Sequence, residues 1–266
     1  MISFSLLGSG SSGNALLVTS PTGSILIDNG LSYRQLERRA TGLGLTLDDL
    51  QAVFITHEHG DHVNGVGVLT RKRDVPVYMT ERTRDCLPKG VGHIPQIRFF
   101  ESGDTLTLNG FSLSSFRVAH DAQDPVSYVV RYGDSQLGIA TDLGSVSNLV
   151  RQRLAGSHAL VLESNYCPEL LLNSSYPAAI CQRIRSNQGH LSNNDMNSLL
   201  ADLIHDDLEL VVAMHVSQEN NTEEKARSMA AQALGRHPAK LVIAQQDDPT
   251  PLFAVRTRES KAVSAL

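Results

Sequence analysis

Short apolar runs separated by polar turns are the dominant pattern of this chain. Their length and their content of Val, Ile, Leu and Phe are typical of buried β-strands. The predicted strands cover residues 1–7, 15–20, 24–28, 51–56, 76–79, 96–100, 105–108, 111–118, 126–132, 136–141, 158–163, 208–215, 241–244 and 252–255. Asn109-Gly110 and Gly133-Asp134 stand between neighbouring runs and predict hairpin turns.

Helical patterns alternate with these strands, above all in the second half of the chain. Ser32 followed by Gln35 forms a capping box, which predicts a helix over residues 33–41, and Ser192 with Asp195 has the same spacing. The predicted helices cover residues 33–41, 64–70, 81–86, 176–185, a segment that begins at Ser192, and residues 222–234. Two β-rich halves with helices between the strands predict an α/β (α+β) sandwich of two sheets.

The chain is predicted to form one domain, because nothing in the sequence marks a boundary between domains. No internal linker, low-complexity segment or short-period repeat is found, so we expect a single domain over residues 1–256. Residues 257–266 are polar and are predicted to form a disordered tail.

Composition narrows the class of protein without giving a function. The net charge of −5 argues against a protein that coats nucleic acid non-specifically. No apolar run approaches the roughly 20 residues that span a bilayer, and the N-terminus has no basic region, so we expect neither membrane insertion nor a signal peptide. Three widely spaced cysteines fit a reducing cytoplasm better than a disulfide framework.

Potential metal ligands are most concentrated in the segment His57-Glu58-His59-Gly60-Asp61-His62, which has the pattern H-x-H-x-D-H. It follows the predicted strand 51–56 and offers four metal ligands within six residues. Imidazole and carboxylate ligands together suit zinc, manganese or iron better than calcium. One such segment could serve two ions about 3.5–4 Å apart. The alternative is a surface loop that happens to be rich in histidine.

Three further candidate ligands each follow an apolar strand: His120, Asp142 and His215. Because strand ends can converge along one edge of a sandwich, we expect these side chains to meet the H-x-H-x-D-H segment. The predicted ligand set gives one ion His57, His59 and His120 and the other Asp61, His62 and His215, with Asp142 bridging the two ions.

Two other segments are weaker candidates for binding phosphate. The loop Gly8–Asn14 offers small residues and free backbone N–H groups, but it lacks the lysine of a P-loop, so a tight β-turn is the favoured interpretation. The basic run Arg71-Lys72-Arg73 is typical of a solvated helix end, and contact with nucleic acid is the less favoured hypothesis.

The H-x-H-x-D-H motif, followed in order by His, Asp and His at strand ends, resembles the metallo-β-lactamase superfamily. That resemblance implies a four-layer αββα sandwich with a dinuclear metal site. Other segments are similar to the YycJ/WalJ-like group of bacterial 5'-3' exonucleases and imply phosphodiester chemistry. These segments are Gly8–Asn14, Glu163–Asn165, Gly189–Asn193, His215–Ser217 with Asn220 and Asn221, and Ala244–Asp247.

The predicted mechanism uses two divalent ions, zinc or manganese before iron, to turn a shared water into a metal-bridging hydroxide. Asp61 would orient this water and take its proton. His190, at the start of a predicted helix, would contact a phosphate oxygen or protonate the leaving group; a helix-capping or supporting role is its alternative.

The expected substrate is a nucleic acid end or a small phosphodiester, with no obligate protein partner, and no substrate-binding residue is assigned. Two alternative functions stay open from the residues alone. One is a thioester or lactone hydrolase of the glyoxalase II kind, and the other is a regulatory module that binds metal without turnover.

Overall fold

A computed structural model describes residues 1–255 and contains two seven-stranded sheets packed face to face. The predicted tail, residues 257–266, lies outside the described residues. The strands are β1 (Ile2–Gly8), β2 (Ala15–Ser20), β3 (Gly23–Ile27), β4 (Leu50–Phe54), β5 (Val77–Met79), β6 (Ile97–Phe99), β7 (Thr105–Leu108), β8 (Phe111–Arg117), β9 (Val126–Tyr132), β10 (Ser135–Ala140), β11 (Ala159–Glu163), β12 (Leu210–Met214), β13 (Lys240–Ile243) and β14 (Phe253–Val255).

Helices lie between the strands, and several of them cover the outer faces of the two sheets. They are α1 (Tyr33–Gly42), α2 (Gly60–Val63), α3 (Val66–Arg73), α4 (Glu81–Asp85), α5 (Asn148–Leu154), α6 (Pro168–Leu172), α7 (Ala178–Ile184), α8 (Asn193–Leu203) and α9 (Glu223–Leu234), with a 3₁₀ turn at Lys89–Val91. Within residues 1–255, no helix has both the length and the apolar sequence needed to cross a membrane.

The sheets are mixed, and each changes from antiparallel to parallel pairing at one point. The first has the order β14-β1-β2-β3-β4-β5-β6, with antiparallel pairing up to β3 and parallel pairing beyond it. The second has the order β13-β12-β11-β10-β9-β8-β7, with antiparallel pairs from β7 to β10 and parallel pairs from β10 to β13. The predicted αββα architecture is confirmed.

The two-residue period of the strands explains why both faces of each sheet are buried. In β9, Tyr128 and Val130 enter the core between the sheets, whereas Val129 packs under the helices of the second sheet. In β4, Phe54 enters the same central core and Val53 packs under the helices of the first sheet. Alternate residues therefore pack into different apolar layers, which explains why apolar residues occupy both faces of these strands.

Helix bounds differ from the sequence prediction in places. The helix predicted over residues 64–70 is α3, which begins at Val66 and runs through the basic run to Arg73. Helix α7 is shorter than the predicted 176–185, because Pro177 takes the extended conformation of an N-cap. Helices α2, α5 and α6 were not predicted, since segments of four to seven residues display a helical period poorly.

The strands that matter for function end at one edge of the sandwich. The carboxyl ends of β4, β8, β10 and β12 lead directly into His57, His120, Asp142 and His215. The hydroxyl of Tyr128, in β9 of the second sheet, donates a 2.6 Å hydrogen bond to the carbonyl of Ile55, just past β4 of the first. This bond fixes the chain two residues before His57.

Removing the Tyr128 hydroxyl tests that contact. We expect Tyr128→Phe to lower the free energy of unfolding by about 1–3 kcal/mol, because the buried carbonyl of Ile55 loses its partner. Tyr132→Phe is the matched control in the same strand and should change stability by less than about 0.5 kcal/mol. Urea unfolding of both variants measures the difference, and equal losses would contradict the assigned role.

Candidate metal centre

The first predicted ligand group comes together in the structure. Nδ1 of His59 lies 3.1 Å from Nε2 of His57 and 3.2 Å from Nε2 of His120. Nδ1 of His120 donates to the carbonyl of Gly189 at 2.9 Å, which leaves its Nε2 free as a ligand. Nitrogen ligands about 2.0–2.1 Å from a tetrahedral ion are about 3.3 Å apart, so these three nitrogens could hold one metal ion.

The second group lies beside the first. Oδ2 of Asp61 is 3.5 Å from Nε2 of His62 and 3.6 Å from Nε2 of His215. Nε2 of His215 is buried and has no hydrogen-bond partner within residues 1–255. Leaving such an atom unpaired costs about 1–3 kcal/mol, and a bound cation would give its lone pair a partner. The residues present therefore fit a metal ion.

Asp142 lies between the two groups, as the prediction of a bridging carboxylate requires. Its Oδ2 is 3.0 Å from Nε2 of His62, and its Oδ1 is 3.8 Å from Nε2 of His120. Its Oδ1 is also 3.4 Å from Nδ1 of His215. One buried carboxylate thus touches ligands of both groups.

Asp28 orients two of the histidines, a role that the sequence prediction missed because it placed this residue only at the end of a predicted strand. Its Oδ2 accepts hydrogen bonds from Nδ1 of His62 at 2.8 Å and from the hydroxyl of Thr56 at 2.7 Å. Because the Thr56 hydroxyl donates to Asp28, it accepts from Nδ1 of His57 at 2.9 Å. Both rings therefore present Nε2 to the centre, the usual arrangement around metal-binding histidines.

Glu163 likewise orients two histidines, on the opposite side of the centre from Asp28. It too was not predicted as a site residue. It is fully buried at the end of β11, where Oε1 accepts from Nδ1 of His190 at 2.7 Å and from Nδ1 of His215 at 3.1 Å. Its Oε2 accepts from the backbone N–H groups of Leu143 and Leu191. The available signal was its position, since it follows an apolar strand just as the predicted ligands do.

His190 lies against this second side of the centre and is mostly buried. Burial alone would lower its pKa, but the Glu163 carboxylate outweighs burial and raises it. Nδ1 of His190 also lies 3.4 Å from Oδ1 of Asp142. The structure therefore brings His190 to the predicted ligands, but as the partner of Glu163.

The pKa values of the buried histidine rings shift in opposite directions. Burial lowers the pKa of His57 and of His120, so both rings are neutral and keep a lone pair. Burial also opposes charge on His62 and His215, but nearby carboxylates, Asp142 foremost, outweigh it and raise both pKa values. A bound cation would replace the protons on these two rings, because a metal and a proton compete for the same lone pair.

Backbone strain is concentrated at this edge. Asp28, Asp142 and His215 have φ values of 58°, 51° and 55°, which lie in the left-handed region. Each follows a strand, so the left-handed residue turns the chain sharply where its side chain must enter the site. This conformation costs about 1–2 kcal/mol per non-glycine residue. Sites with a function are where such strain is commonly retained.

The Gly8–Asn14 loop contains the predicted β-turn, closed by the bond from Gly13 N–H to the Gly10 carbonyl at 2.9 Å. It also supports the centre, which was not predicted. The Asn14 amide nitrogen lies 3.1 Å from Oδ2 of Asp61, and the Ser9 hydroxyl accepts from the backbone N–H of His215 at 2.8 Å.

The basic run at the end of α3 makes local protein contacts. Arg73 pairs with Asp48 and with Glu37, and Lys72 stacks over the ring of Tyr33 at 4.3 Å. Arg71 donates to the carbonyl of His93 at 2.6 Å. These contacts agree with the favoured interpretation of a helix end.

Comparison with known proteins matches residues 24–216 to the family described as the Beta-lactamase superfamily domain. The chain is 38% identical over 233 residues to exodeoxyribonuclease YycJ of Bacillus anthracis, covering 87% of this chain and 88% of that protein. It is 34% identical over 227 residues to exodeoxyribonuclease WalJ of Streptococcus pneumoniae, covering 84% of each. The crystal structure of the metallo-β-lactamase fold protein YhfI of Bacillus subtilis aligns with a TM-score of 0.71 at 15% identity, over 94% of this chain and 99% of that one.

The Asp28 contact yields a test of metal binding. We expect Asp28→Asn to weaken metal retention about 10- to 100-fold. Asp28 now accepts hydrogen bonds from N–H and O–H groups, and the NH₂ group of an asparagine could not accept them. Asp74→Asn is the matched control, since Asp74 is also left-handed (φ 47°) and lies outside the centre. Metal content after dialysis against a graded chelator measures the change, and parallel loss in both variants would contradict the role.

Proposed function

Because this chain belongs to the β-lactamase superfamily and, within it, to the group of the exodeoxyribonucleases YycJ and WalJ, we propose that it is a metal-dependent phosphodiester hydrolase that degrades DNA from an end. The observation that carries the proposal is the pairing of two adjacent ligand groups with the buried Glu163–His190 pair. The ligand groups offer sites for cations, and the pair offers a proton donor.

Two divalent ions, zinc or manganese before iron, are the proposed cofactors. Imidazole and carboxylate ligands suit these metals. When bound, two such cations supply Lewis acidity and a nucleophilic water at neutral pH. The proposed ligands are His57, His59 and His120 for one ion and Asp61, His62 and His215 for the other, with Asp142 shared.

Asp61 is proposed to orient the attacking water. Burial would raise the pKa of its carboxyl, but His62 and His215 outweigh burial and hold the pKa well below its usual range. The carboxylate is therefore ionised at neutral pH, and the amide of Asn14 helps to fix it. An anion with so low a pKa accepts hydrogen bonds more readily than protons, so positioning the water is the larger part of its role.

His190 is proposed to be the general acid. Glu163 accepts from Nδ1 and raises the pKa of the ring, which favours the form that also carries a proton on Nε2. That proton would pass to the oxygen that leaves when the phosphodiester bond breaks. Since a poor leaving group needs this proton most, the Glu163–His190 pair suits an alkoxide such as the sugar oxygen of DNA.

The proposed substrate rests on the relatives, and the proposed location rests on the cysteines. The names of YycJ and WalJ specify exonuclease action on DNA, which supports DNA ends as the substrate, with 5'-3' polarity as the finer proposal. A cytoplasmic location is proposed because Cys86, Cys167 and Cys181 are all unpaired. No obligate protein partner is proposed.

The first test compares three substrates under one condition. We expect the purified protein with added manganese or zinc to cleave 5'-labelled single-stranded DNA and bis-p-nitrophenyl phosphate, and a chelator to abolish both activities. S-lactoylglutathione serves as the thioester substrate of the alternative function. Turnover of the thioester alone would refute the proposal.

The second test separates acid catalysis from metal binding. We expect His190→Ala to lower kcat on DNA about 10²- to 10⁴-fold, because the leaving sugar oxygen loses its proton donor. The loss should be much smaller on bis-p-nitrophenyl phosphate, whose nitrophenolate leaves without protonation. His93→Ala, at an exposed loop position, is the control. Equal losses on both substrates would argue that His190 is structural.

A further inference from the structure

Arg183, in α7, has no part in the metal ligand set or in the Glu163–His190 pair, yet it is tied to the centre. Its Nε donates to Oδ2 of Asp121. Asp121 directly follows His120, and its Oδ1 lies 3.4 Å from Nε2 of that ring. One carboxylate therefore separates the guanidinium from a proposed metal ligand.

The remaining donors of Arg183 are available. Its side chain is 49% exposed, and its two terminal NH₂ groups have no hydrogen-bond partner in the described part of the chain. The bond to Asp121 is the largest contribution that raises the Arg183 pKa, and Asp142 and Asp61 contribute as well. The guanidinium is therefore close enough to the carboxylates of Asp142 and Asp61 to interact with their charges.

Stability does not explain this arrangement. An ion pair as exposed as that of Arg183 and Asp121 adds little to stability, because water screens both charges. Asp121 nevertheless fixes the planar guanidinium through Nε, which leaves the two NH₂ groups as a pre-oriented fork. Such a fork matches the geometry of two oxygens of one phosphate.

We propose that Arg183, held by Asp121, binds the non-bridging oxygens of the substrate phosphate at the metal centre. The inference rests on the proposed phosphodiesterase function and supplies a substrate-binding residue that the sequence left unassigned. A fixed cation at this place stabilises the negative charge that increases on the phosphate as the bond to the leaving oxygen breaks. Asp121 is then a positioning residue.

The experiment uses the metal-loaded protein and three variants. We expect Arg183→Ala to lower kcat/KM about 100-fold on both single-stranded DNA and bis-p-nitrophenyl phosphate, since both substrates present the same reacting phosphodiester. Arg183→Lys should recover only part of this loss, because an ammonium lacks the fork. Arg185→Ala removes the same charge two residues away, beside Tyr166, and should leave both values unchanged.

Binding of inorganic phosphate gives a readout that needs no turnover. By calorimetry, we expect the metal-loaded Arg183→Ala variant to bind phosphate at least 10-fold more weakly than the parent and the Arg185→Ala variant, with equal metal content in all three. Unchanged phosphate affinity, a loss confined to DNA, or equal losses in Arg185→Ala would overturn the assignment. If the parent protein cleaves neither phosphodiester, the proposed function fails, while the phosphate measurement still decides the role of Arg183.

Discussion

The carboxylate of Asp142 is the contact on which the site depends. It follows β10 of the second sheet and reaches Nε2 of His62, in α2 after β4 of the first sheet, at 3.0 Å. Because it also approaches His120 and His215, it joins the ligand groups of both sheets. Without this anion, these three histidines would repel one another whenever protonated, and its burial makes each attraction stronger than it would be in water.

Two further buried carboxylates extend this arrangement outward, one from each sheet. Asp28 fixes the rings of His57 and His62 from the first sheet, partly through Thr56. Glu163 fixes His190 and His215 from the second. Each anion accepts from several N–H or O–H groups, which offsets the cost of burying its charge. Nδ1 of each of these histidines is therefore already committed to a carboxylate or to Thr56, which leaves Nε2 for the chemistry of the centre.

The apolar layers hold this polar edge in place without taking part in its chemistry. The central core between the sheets and the layers under the helices are formed by separate sets of side chains, as Tyr128 and Val129 show. Strand ends on such a scaffold are rigid, so the left-handed residues Asp28, Asp142 and His215 can be kept at a local cost of a few kcal/mol in total. Arg183 differs in belonging to α7, one of the helices between β11 and β12, so it approaches the centre from outside the strand ends.

Every strand of the two sheets could be predicted from the sequence, because most of these strands are rich in buried apolar residues and several of the turns between them carry Gly, Asn or Asp. It also indicated which side chains to consider as ligands, since the H-x-H-x-D-H segment, His120, Asp142 and His215 all follow such strands. The approach of Asp28, Glu163 and Arg183 to these side chains is visible only in the folded chain. Each is one polar residue among many, and what distinguishes it is a hydrogen bond to a residue 27 to 62 positions away along the chain, a separation that no local pattern encodes.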